Sequence, residues 1–166
     1  MKRYMLLDWL SYYLNKKQWK SLQTFDEFVG FCGSPARCGQ AAIHHFSYRF
    51  DGDEHLWQSP KTTWERRGLF NKMLGDCEDW ARFFCLCLNK NCDEDAVLMV
   101  VSSSKKCHAT CVSRNWTIGT YYRIKHPSNK YKDIAEFFVS DWNKIKIYSQ
   151  ETDGNFQLRK ILQIER

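Results

Sequence analysis

A segment that is apolar on nearly every side of a helix is the strongest constraint on how this chain folds. It runs from Asp76 to Leu88, and its apolar positions are Trp80, Ala81, Phe83, Phe84, Leu86, Cys87 and Leu88. A helix with such a sequence must be covered by other elements on all sides. The segment therefore predicts a central helix, around which the rest of the chain forms the layers of a core.

The chain before this segment carries the signals of shorter helices. Residues 4–20 have apolar side chains at helical spacing. Thr24 resembles a helix N-cap followed by first-turn acids, and the helix that it starts ends near Gly33. Residues 36–50 predict a third helix, and Ser59-Pro60 predicts the start of a short fourth one.

The chain after the segment has the pattern of strands. Residues 96–101 form an apolar run that predicts a strand. Residues 107–113 and 116–125 alternate moderately and are rich in Thr, Val, Ile and Tyr, so they predict the two strands of a hairpin. The turn of this hairpin would be Arg114-Asn115.

A further helix and a second hairpin follow. Residues 133–142 predict the helix, and residues 145–148 and 156–164 predict two strands that turn at Asp153-Gly154. Helices first and strands later are the pattern of α+β domains. The sequence therefore predicts an α+β fold, in which a helical N-terminal part and a central cysteine-bearing helix pack on an antiparallel β-sheet.

Length and composition indicate one globular domain over residues 1–166. Hydrophobic residues make up 43% of the chain and aromatic residues 16%, which is far from the composition of disordered proteins. A chain of this length fits a single core. Within the domain we expect residues 1–35 to be an N-terminal helical extension, 36–150 the core, and 151–166 a C-terminal strand or tail.

The N-terminus and the cysteines favour a reducing compartment. The stretch after Met1 meets an acid within a few residues, unlike a signal peptide, and no apolar run reaches the roughly 20 residues that cross a bilayer. We therefore expect a cytoplasmic protein with free thiols and no membrane contact. The net charge of +6 permits contact with nucleic acid but is modest for a dedicated nucleic-acid binder.

Cys77 is the one cysteine of the eight that is placed to act as a nucleophile. A cysteine attacks as a thiolate, and the positive potential of a helix N-terminus lowers the pKa of a thiol. Gly75 and Asp76 precede the helix and Cys77 begins it, so backbone N–H groups there are suited to an oxyanion hole. His108 fits the role of general base because it begins a strand that can pack beside the helix N-terminus.

Two stretches of the sequence resemble a known family. The first contains Trp57-Gln58-Ser59-Pro60, then Thr63 and Arg66, then Gly75-Asp76-Cys77-Glu78-Asp79-Trp80-Ala81; the second is His108-Ala109-Thr110-Cys111-Val112. They resemble the bacterial and phage transglutaminase-like cysteine peptidases of the papain-like superfamily, whose pattern is W-x-[ST]-P, then G-D-C-E-D-[FYW]-A, then a strand with His-Ala. The resemblance covers roughly residues 40–145.

The resemblance implies a papain/transglutaminase-like core over residues 36–150 and a thiol mechanism. Cys77 would be the nucleophile and His108 the base. Asp79 would be an acid of the family that braces the helix start rather than one that transfers protons.

The third member of the family's catalytic group has no acid or amide at the matching place. It is normally an Asp or Asn on the strand after that of the histidine, where it holds the imidazole. In the predicted register Ala109 pairs with Thr120 and His108 with Tyr121, so Thr120 is the nearest equivalent. Two residues are fallbacks for this role: Asn115 and Asp133.

Two groups of side chains are alternatives as metal sites. Carboxylates at the helix start suit calcium, as in some relatives, although the helix dipole alone also favours acids there. These carboxylates belong to Asp76, Glu78 and Asp79. A zinc site would need Cys107, His108 and Cys111 with Cys85 or Cys87. Structural zinc sites usually use two close cysteine pairs, so we expect no cofactor, with calcium near Asp76 and Glu78 as the alternative.

The expected function is that of a thiol-dependent amide hydrolase or acyltransferase, in the first place a cysteine peptidase. Cys77 would form a thioester with a protein or peptide substrate, with His108 as base. The alternative is a catalytically inactive phage or bacterial factor that binds a host protein or nucleic acid. A basic face on the C-terminal half would serve nucleic acid, and its residues are Arg114, Arg123, Lys125, Lys130, Lys132, Lys144 and Lys146.

Overall fold

The computed structural model describes most of the chain. The described residues are 2–50, 58–68, 72–91, 95–120, 122–125, 130–153 and 156–166, with side chains from residue 5 onward.

Seven helices and eight strands lie among the described residues. The helices are α1 (Lys2–Leu14), α2 (Lys16–Ser21), α3 (Phe25–Phe31), α4 (Pro35–His44), α5 (Pro60–Glu65), α6 (Cys77–Asn91) and α7 (Tyr131–Phe138). The strands are β1 (Phe46–Tyr48), β2 (Met73–Gly75), β3 (Val97–Ser102), β4 (Cys107–Val112), β5 (Trp116–Gly119), β6 (Tyr122–Lys125), β7 (Lys144–Gln150) and β8 (Leu158–Glu165). None of these helices is long and apolar enough to cross a membrane.

The larger sheet has six antiparallel strands in the order β6-β5-β4-β3-β7-β8. β1 and β2 form a separate parallel pair. Only Asp76 separates the end of β2 from the start of α6. The fold is α+β, as the sequence predicts.

The two faces of the large sheet pack on different helices, because successive residues of a strand point to opposite sides. On one face Trp80 of α6 is buried with Leu98 and Ala109. On the other face Ile134 of α7 is buried with Met99. α6 is the predicted central helix, and eleven of its fifteen residues are buried.

Side-chain caps fix where three helices begin. Thr24 Oγ1 accepts from the Glu27 N–H at 3.2 Å, and the Glu27 carboxylate accepts from the Thr24 N–H at 3.0 Å, which is a capping box. Ser34 and Ser59 cap α4 and α5, and a proline follows each of them at the first helical position. The helix starts predicted at Thr24 and Ser59 are confirmed.

The N-terminal helices share the main core. Trp19 of α2 and Phe28 of α3 belong to the same buried cluster as Trp80. α1 is joined to β6 by Arg123, whose Nε and Nη2 donate to the two carboxylate oxygens of Asp8 at 3.0 and 2.7 Å. Asp8 is 2% exposed and Arg123 7%, so this ion pair lies inside the protein.

Two helices predicted from the sequence are shorter in the structure. The helix predicted over residues 4–20 breaks at Asn15, whose side-chain Nδ2 donates to Ser11 O at 2.7 Å and competes with helical bonding. The helix predicted to residue 50 ends at His44. The prediction is wrong there because Phe46–Tyr48 alternates as a strand does and pairs with β2.

The strand predicted over residues 116–125 is two strands, β5 and β6. The predicted register holds where β4 and β5 pair, since Cys111 lies opposite Ile118. The prediction is wrong beyond Gly119, where β5 ends and the chain reverses, so that β6 begins at Tyr122. Glycine weakens a strand interior and permits such a reversal.

The C-terminal part forms the predicted last hairpin. β7 and β8 pair antiparallel along their whole length. The predicted turn at Asp153-Gly154 falls partly outside the described residues, because these stop at 153 and resume at 156. α7 ends at Phe138, so Trp142, which the sequence placed on this helix, lies beyond it while packing into the same cluster.

Candidate active site

The start of α6 is held by its own carboxylates. Asp76 Oδ1 accepts from the backbone N–H groups of Glu78 at 2.9 Å and Asp79 at 3.4 Å. Asp79 Oδ2 in turn accepts from the Asp76 N–H at 3.2 Å, which makes a reciprocal cap. Two of the amides that the sequence suggests for an oxyanion hole are therefore occupied. Among the described N–H groups of residues 76–79, only that of Cys77 donates to no carboxylate.

Asp79 also fixes the segment that precedes α5. Its Oδ1 accepts from the Gln58 N–H at 3.0 Å, and Arg82 Nη1 donates to Gln58 O at 2.8 Å. Asp79 is 1% exposed, so both of its oxygens bond inside the protein. These contacts are those of a residue that braces the helix start, which is the role that the resemblance implies for Asp79.

Cys77 is the first residue of α6, and its side chain is partly exposed. Burial raises the pKa of the Cys77 thiol to about 12, and the carboxylates of Asp76 and Glu78 add to the increase. A hydrogen bond from the Ala109 N–H acts in the opposite direction without reversing it. Desolvation and two nearby acids therefore oppose the lowering of the Cys77 pKa that the sequence predicts from the helix N-terminus.

His108 begins a chain of hydrogen bonds that crosses β4, β5 and β6. Its Nε2 lies 2.9 Å from Tyr122 Oη. Tyr122 Oη donates to Thr110 Oγ1 at 3.1 Å, and Thr110 Oγ1 donates to Ile118 O at 3.0 Å. The ring of Phe138 packs against both aromatic members of the chain, with centroids 5.2 Å from His108 and 5.5 Å from Tyr122.

The direction of this chain assigns the tautomer of His108. A carbonyl oxygen only accepts, so Thr110 gives its single proton to Ile118 O and accepts from Tyr122. Tyr122 has then used its own proton and accepts from His108 Nε2–H. Burial lowers the pKa of His108, so the ring is neutral at pH 7, with its proton on Nε2 and its lone pair on Nδ1. A neutral imidazole with an available lone pair is the form that a general base needs.

Thr120 does not hold His108. Its Oγ1 is buried and has no hydrogen-bond partner among the residues that the structure describes. The residue that contacts the imidazole is Tyr122 rather than Thr120. A Cβ added at Gly119 would collide with the Tyr122 ring, so it is the glycine that lets this ring cross β5 towards His108. Gly119 is the one sequence signal that could have indicated Tyr122.

The two fallback residues lie elsewhere. Asn115 is in the turn between β4 and β5, and Asp133 is exposed in the first turn of α7. The structure brings neither of them to the imidazole.

Cys77 begins α6, and His108 is the second residue of β4, a strand that packs against α6. The thiol accepts from the N–H of Ala109, which directly follows His108 in the chain. Within the described residues, no hydrogen bond joins Cys77 Sγ to the imidazole. Cys77 packs against the buried cluster on the α6 face of the sheet, whereas His108 pairs with Val101 and packs on Phe138 of α7, on the other face. The described contacts therefore show a protonated thiol and a neutral imidazole without a direct contact between them.

The remaining described cysteines offer no metal site. Cys107 is exposed, and the others are buried in the core: Cys32, Cys38, Cys85, Cys87 and Cys111. Across the described ranges, no three His, Cys, Asp or Glu side chains are arranged to hold a metal ion. Neither the calcium nor the zinc alternative therefore finds a ligand set there.

Some of the basic residues that the sequence groups on the C-terminal half are paired with acids. Arg123 is buried against Asp8, and its guanidinium lies 4.3 Å from the centroid of the Trp116 ring. Lys144 pairs with Glu165 at 3.2 Å. Two of the seven residues that the sequence grouped together therefore already have carboxylate partners.

Two cavities include residues next to this site. The first, of about 600 Å³, is lined by Arg49, Phe50, Gln58, Arg66, Arg67, Leu74 and Gly75. The second, of about 630 Å³, is lined by Phe50, Ser102, Ser103, Lys105, Lys106, Cys107, His108, Phe138 and Val139. Phe50 borders both cavities, so they adjoin at that ring.

A scan against protein-family models and a search of the curated proteins both gave no match for this chain. The proposal for its function therefore rests on the site itself.

Proposed function

We propose that this protein is a thiol-dependent amide hydrolase or acyltransferase, in the first place a cysteine peptidase, with a papain/transglutaminase-like core. Cys77 is the nucleophile, His108 the general base, and Tyr122 a positioning residue. The observation that carries the proposal is the directed chain from His108 to Ile118 O, which gives His108 the tautomer of a base. The next residue on the same strand, Ala109, donates its N–H to the cysteine at the helix start.

In the proposed reaction, one ring nitrogen, His108 Nδ1, accepts and returns every proton that is transferred. His108 Nδ1 takes the proton of Cys77 Sγ as the sulfur attacks the amide carbon, and the Cys77 N–H donates to the oxyanion. Nδ1 then gives that proton to the leaving amine as the C–N bond breaks and the thioester forms. Water, or a second amine, attacks the thioester and delivers a proton to Nδ1, which returns it to the departing Sγ.

Attack in this site is general-base catalysed and does not start from a preformed ion pair. The pKa of Cys77 is raised to about 12, while that of His108 is lowered, so the thiol keeps its proton until the carbonyl is in place. A serine hydroxyl is activated in the same way by its histidine. Hydrogen bonds between nucleophile and base are often long in free enzymes and shorten when substrate binds.

A neutral peptidyl vinyl sulfone tests the proposal. Its alkene accepts the thiol only when a base removes the proton, so we expect one adduct on Cys77, located by peptide mass spectrometry. His108→Ala should slow this adduct by about 100-fold or more. Iodoacetamide labelling of the exposed Cys107 serves as an internal control of protein integrity and should stay unchanged.

Equal labelling rates of Cys77 in the native protein and in His108→Ala would contradict the assignment of the base. An adduct confined to Cys107 would contradict the assignment of the nucleophile.

Tyr122→Phe is expected to lower kcat by about fivefold, because a net hydrogen bond is worth roughly 1 kcal/mol. The acid limb of kcat/KM should also move to lower pH. Burial already places the pKa of His108 below 6.5, and the Tyr122 oxygen stabilises the protonated ring, so its loss lowers that pKa further. A pH profile from 4 to 9 measures both effects. A fall in kcat without any shift of the acid limb would assign Tyr122 to packing alone.

A second candidate function is a binding protein without turnover. The raised pKa of Cys77 and the lack of a hydrogen bond between its sulfur and His108 within the described residues favour it. Binding of a single-stranded oligonucleotide that weakens steeply with salt, together with no vinyl sulfone adduct, would support this function. An adduct on Cys77 that depends on His108 would exclude it.

A further inference from the structure

The cavity in front of α6 carries a concentration of positive charge. Three of the seven lining residues that the structure describes are arginines, Arg49, Arg66 and Arg67, and none of these seven is acidic. Each of the three is exposed at the surface of the protein. In the described part of the chain, neither Arg49 nor Arg66 forms an ion pair through its side chain.

The backbone around the arginines is attached to β2. The Arg49 N–H donates to Gly75 O at 2.9 Å, and the Leu74 N–H donates to Arg66 O at 3.0 Å. Arg67 forms an antiparallel bridge with Met73. The charged side chains thus start from fixed positions on both sides of the strand.

The guanidinium of Arg67 is also held by an aromatic ring. Its Cζ lies 4.0 Å from the centroid of Trp64, and its Nε donates to Trp64 O at 3.1 Å. Trp64 is buried, so this arginine has a rigid support. A cation held in this way loses little side-chain entropy when it binds an anion.

β2 leads directly to the proposed nucleophile. Gly75 lines the arginine cavity and lies two residues before Cys77. The second cavity, which contains His108, adjoins the first at Phe50 and carries two further cations, Lys105 and Lys106. A peptide that extends from one cavity to the other past Phe50 therefore meets positive charge in both cavities.

We infer that the preferred substrate is an acidic peptide, with a carboxylate side chain bound by Arg49, Arg66 and Arg67 next to the amide that Cys77 attacks. The inference rests on the proposed function, because that function makes the ligand an amide. Guanidinium groups match the planar carboxylate with two parallel hydrogen bonds. A cavity of about 600 Å³ holds one or two residues of a peptide rather than a long polymer.

Binding can be measured separately from chemistry. Three fluorescent hexapeptide amides of equal length, carrying three Glu, three Gln or three Lys, are titrated by anisotropy against the full chain. We expect the Glu peptide to bind at least about tenfold more tightly than the Gln peptide, and its binding to weaken with salt.

Arg66→Gln and Arg49→Gln should each weaken binding of the Glu peptide by about five- to tenfold without affecting the Gln peptide. Lys61→Gln is the matched control because it also removes one positive charge. Lys61 is exposed on α5 and is not among the residues that line the cavity. It should change binding by less than about twofold.

The outcomes separate this inference from the proposed function. Equal affinity for the Glu and Gln peptides, while the neutral vinyl sulfone still labels Cys77, overturns the preference for acidic peptides but not the proposed hydrolase function. Arginine-dependent binding of the Glu peptide without labelling supports the anion site and overturns the hydrolase. A ten-nucleotide oligothymidylate that binds more tightly than the Glu peptide, with the same dependence on Arg49 and Arg66, overturns the peptide assignment in favour of nucleic acid.

Discussion

Replacing Cys77 by alanine is expected to lower kcat/KM by at least about 10⁴-fold on any peptide amide that the native protein hydrolyses. A nucleophile forms the covalent intermediate, so its removal leaves only the contribution of binding and of the oxyanion donor. The side chain is partly exposed and small, so the folded state should survive with a similar thermal midpoint. Initial rates from an internally quenched peptide, together with thermal unfolding, measure the two effects.

His108→Ala should produce a loss of similar size, and the double variant Cys77→Ala/His108→Ala should be no worse than either single one. Residues that act as one unit show such non-additive losses. Independent roles would instead multiply the two losses. Retention of a tenth or more of native turnover in Cys77→Ala would exclude this cysteine as the nucleophile.

The second large effect concerns stability. Asp8→Asn is expected to lower the free energy of unfolding by about 3–5 kcal/mol, because it leaves the Arg123 guanidinium buried without its carboxylate. Burial raises the pKa of Asp8 even though Arg123 opposes the increase, which shows how strongly this site disfavours an isolated charge. The Asp8 carboxylate is closely packed, since a Cβ on Gly39 would collide with it, so neighbouring groups have little space to move and solvate the unpaired guanidinium. Urea unfolding followed by tryptophan fluorescence measures the change.

A surface ion pair in the same protein is the control. Asp26 pairs with Lys90 Nζ at 3.0 Å, but the Asp26 side chain is 79% exposed. Asp26→Asn should therefore cost less than about 1 kcal/mol. The double variant Asp8→Leu/Arg123→Met should be less destabilised than Asp8→Asn, since it removes both buried charges. Equal losses in Asp8→Asn and Asp26→Asn would show that the buried pair does not secure α1.

Local signals in the sequence were sufficient for much of the fold. The central helix follows from its apolar surface, and the starts of α3 and α5 follow from their capping residues. The register of β4 against β5 follows from the two-residue turn at Arg114-Asn115. Each of these features depends on residues that are close together in the chain.

The features that sequence reasoning missed depend on distant residues or on a reversal of direction. Asp8 and Arg123 are 115 residues apart, and neither pattern nor propensity pairs them. Tyr122 reaches His108 only because β5 ends at Gly119, whereas the alternation from 116 to 125 continues without a break in the sequence. A residue count along one continuous strand therefore points to Thr120, although β5 ends before it.

The pKa of the Cys77 thiol depends on opposing energetic effects. A helix start lowers the pKa of a thiol, but the same sequence motif places Asp76 and Glu78 beside it, and the fold buries it. The balance between these opposing effects depends on depth and distance, which a motif does not contain.

The raised pKa of Cys77 affects how readily its sulfur is oxidised. Peroxides oxidise thiolates, and a thiol whose pKa is raised to about 12 has almost none of that form at neutral pH. Conversion to sulfenic acid, and from there to irreversibly oxidised sulfur, is therefore slow in the resting protein. In the proposed mechanism the nucleophile loses its proton only against a bound amide, which would protect it from the oxidants that inactivate enzymes with a permanent thiolate.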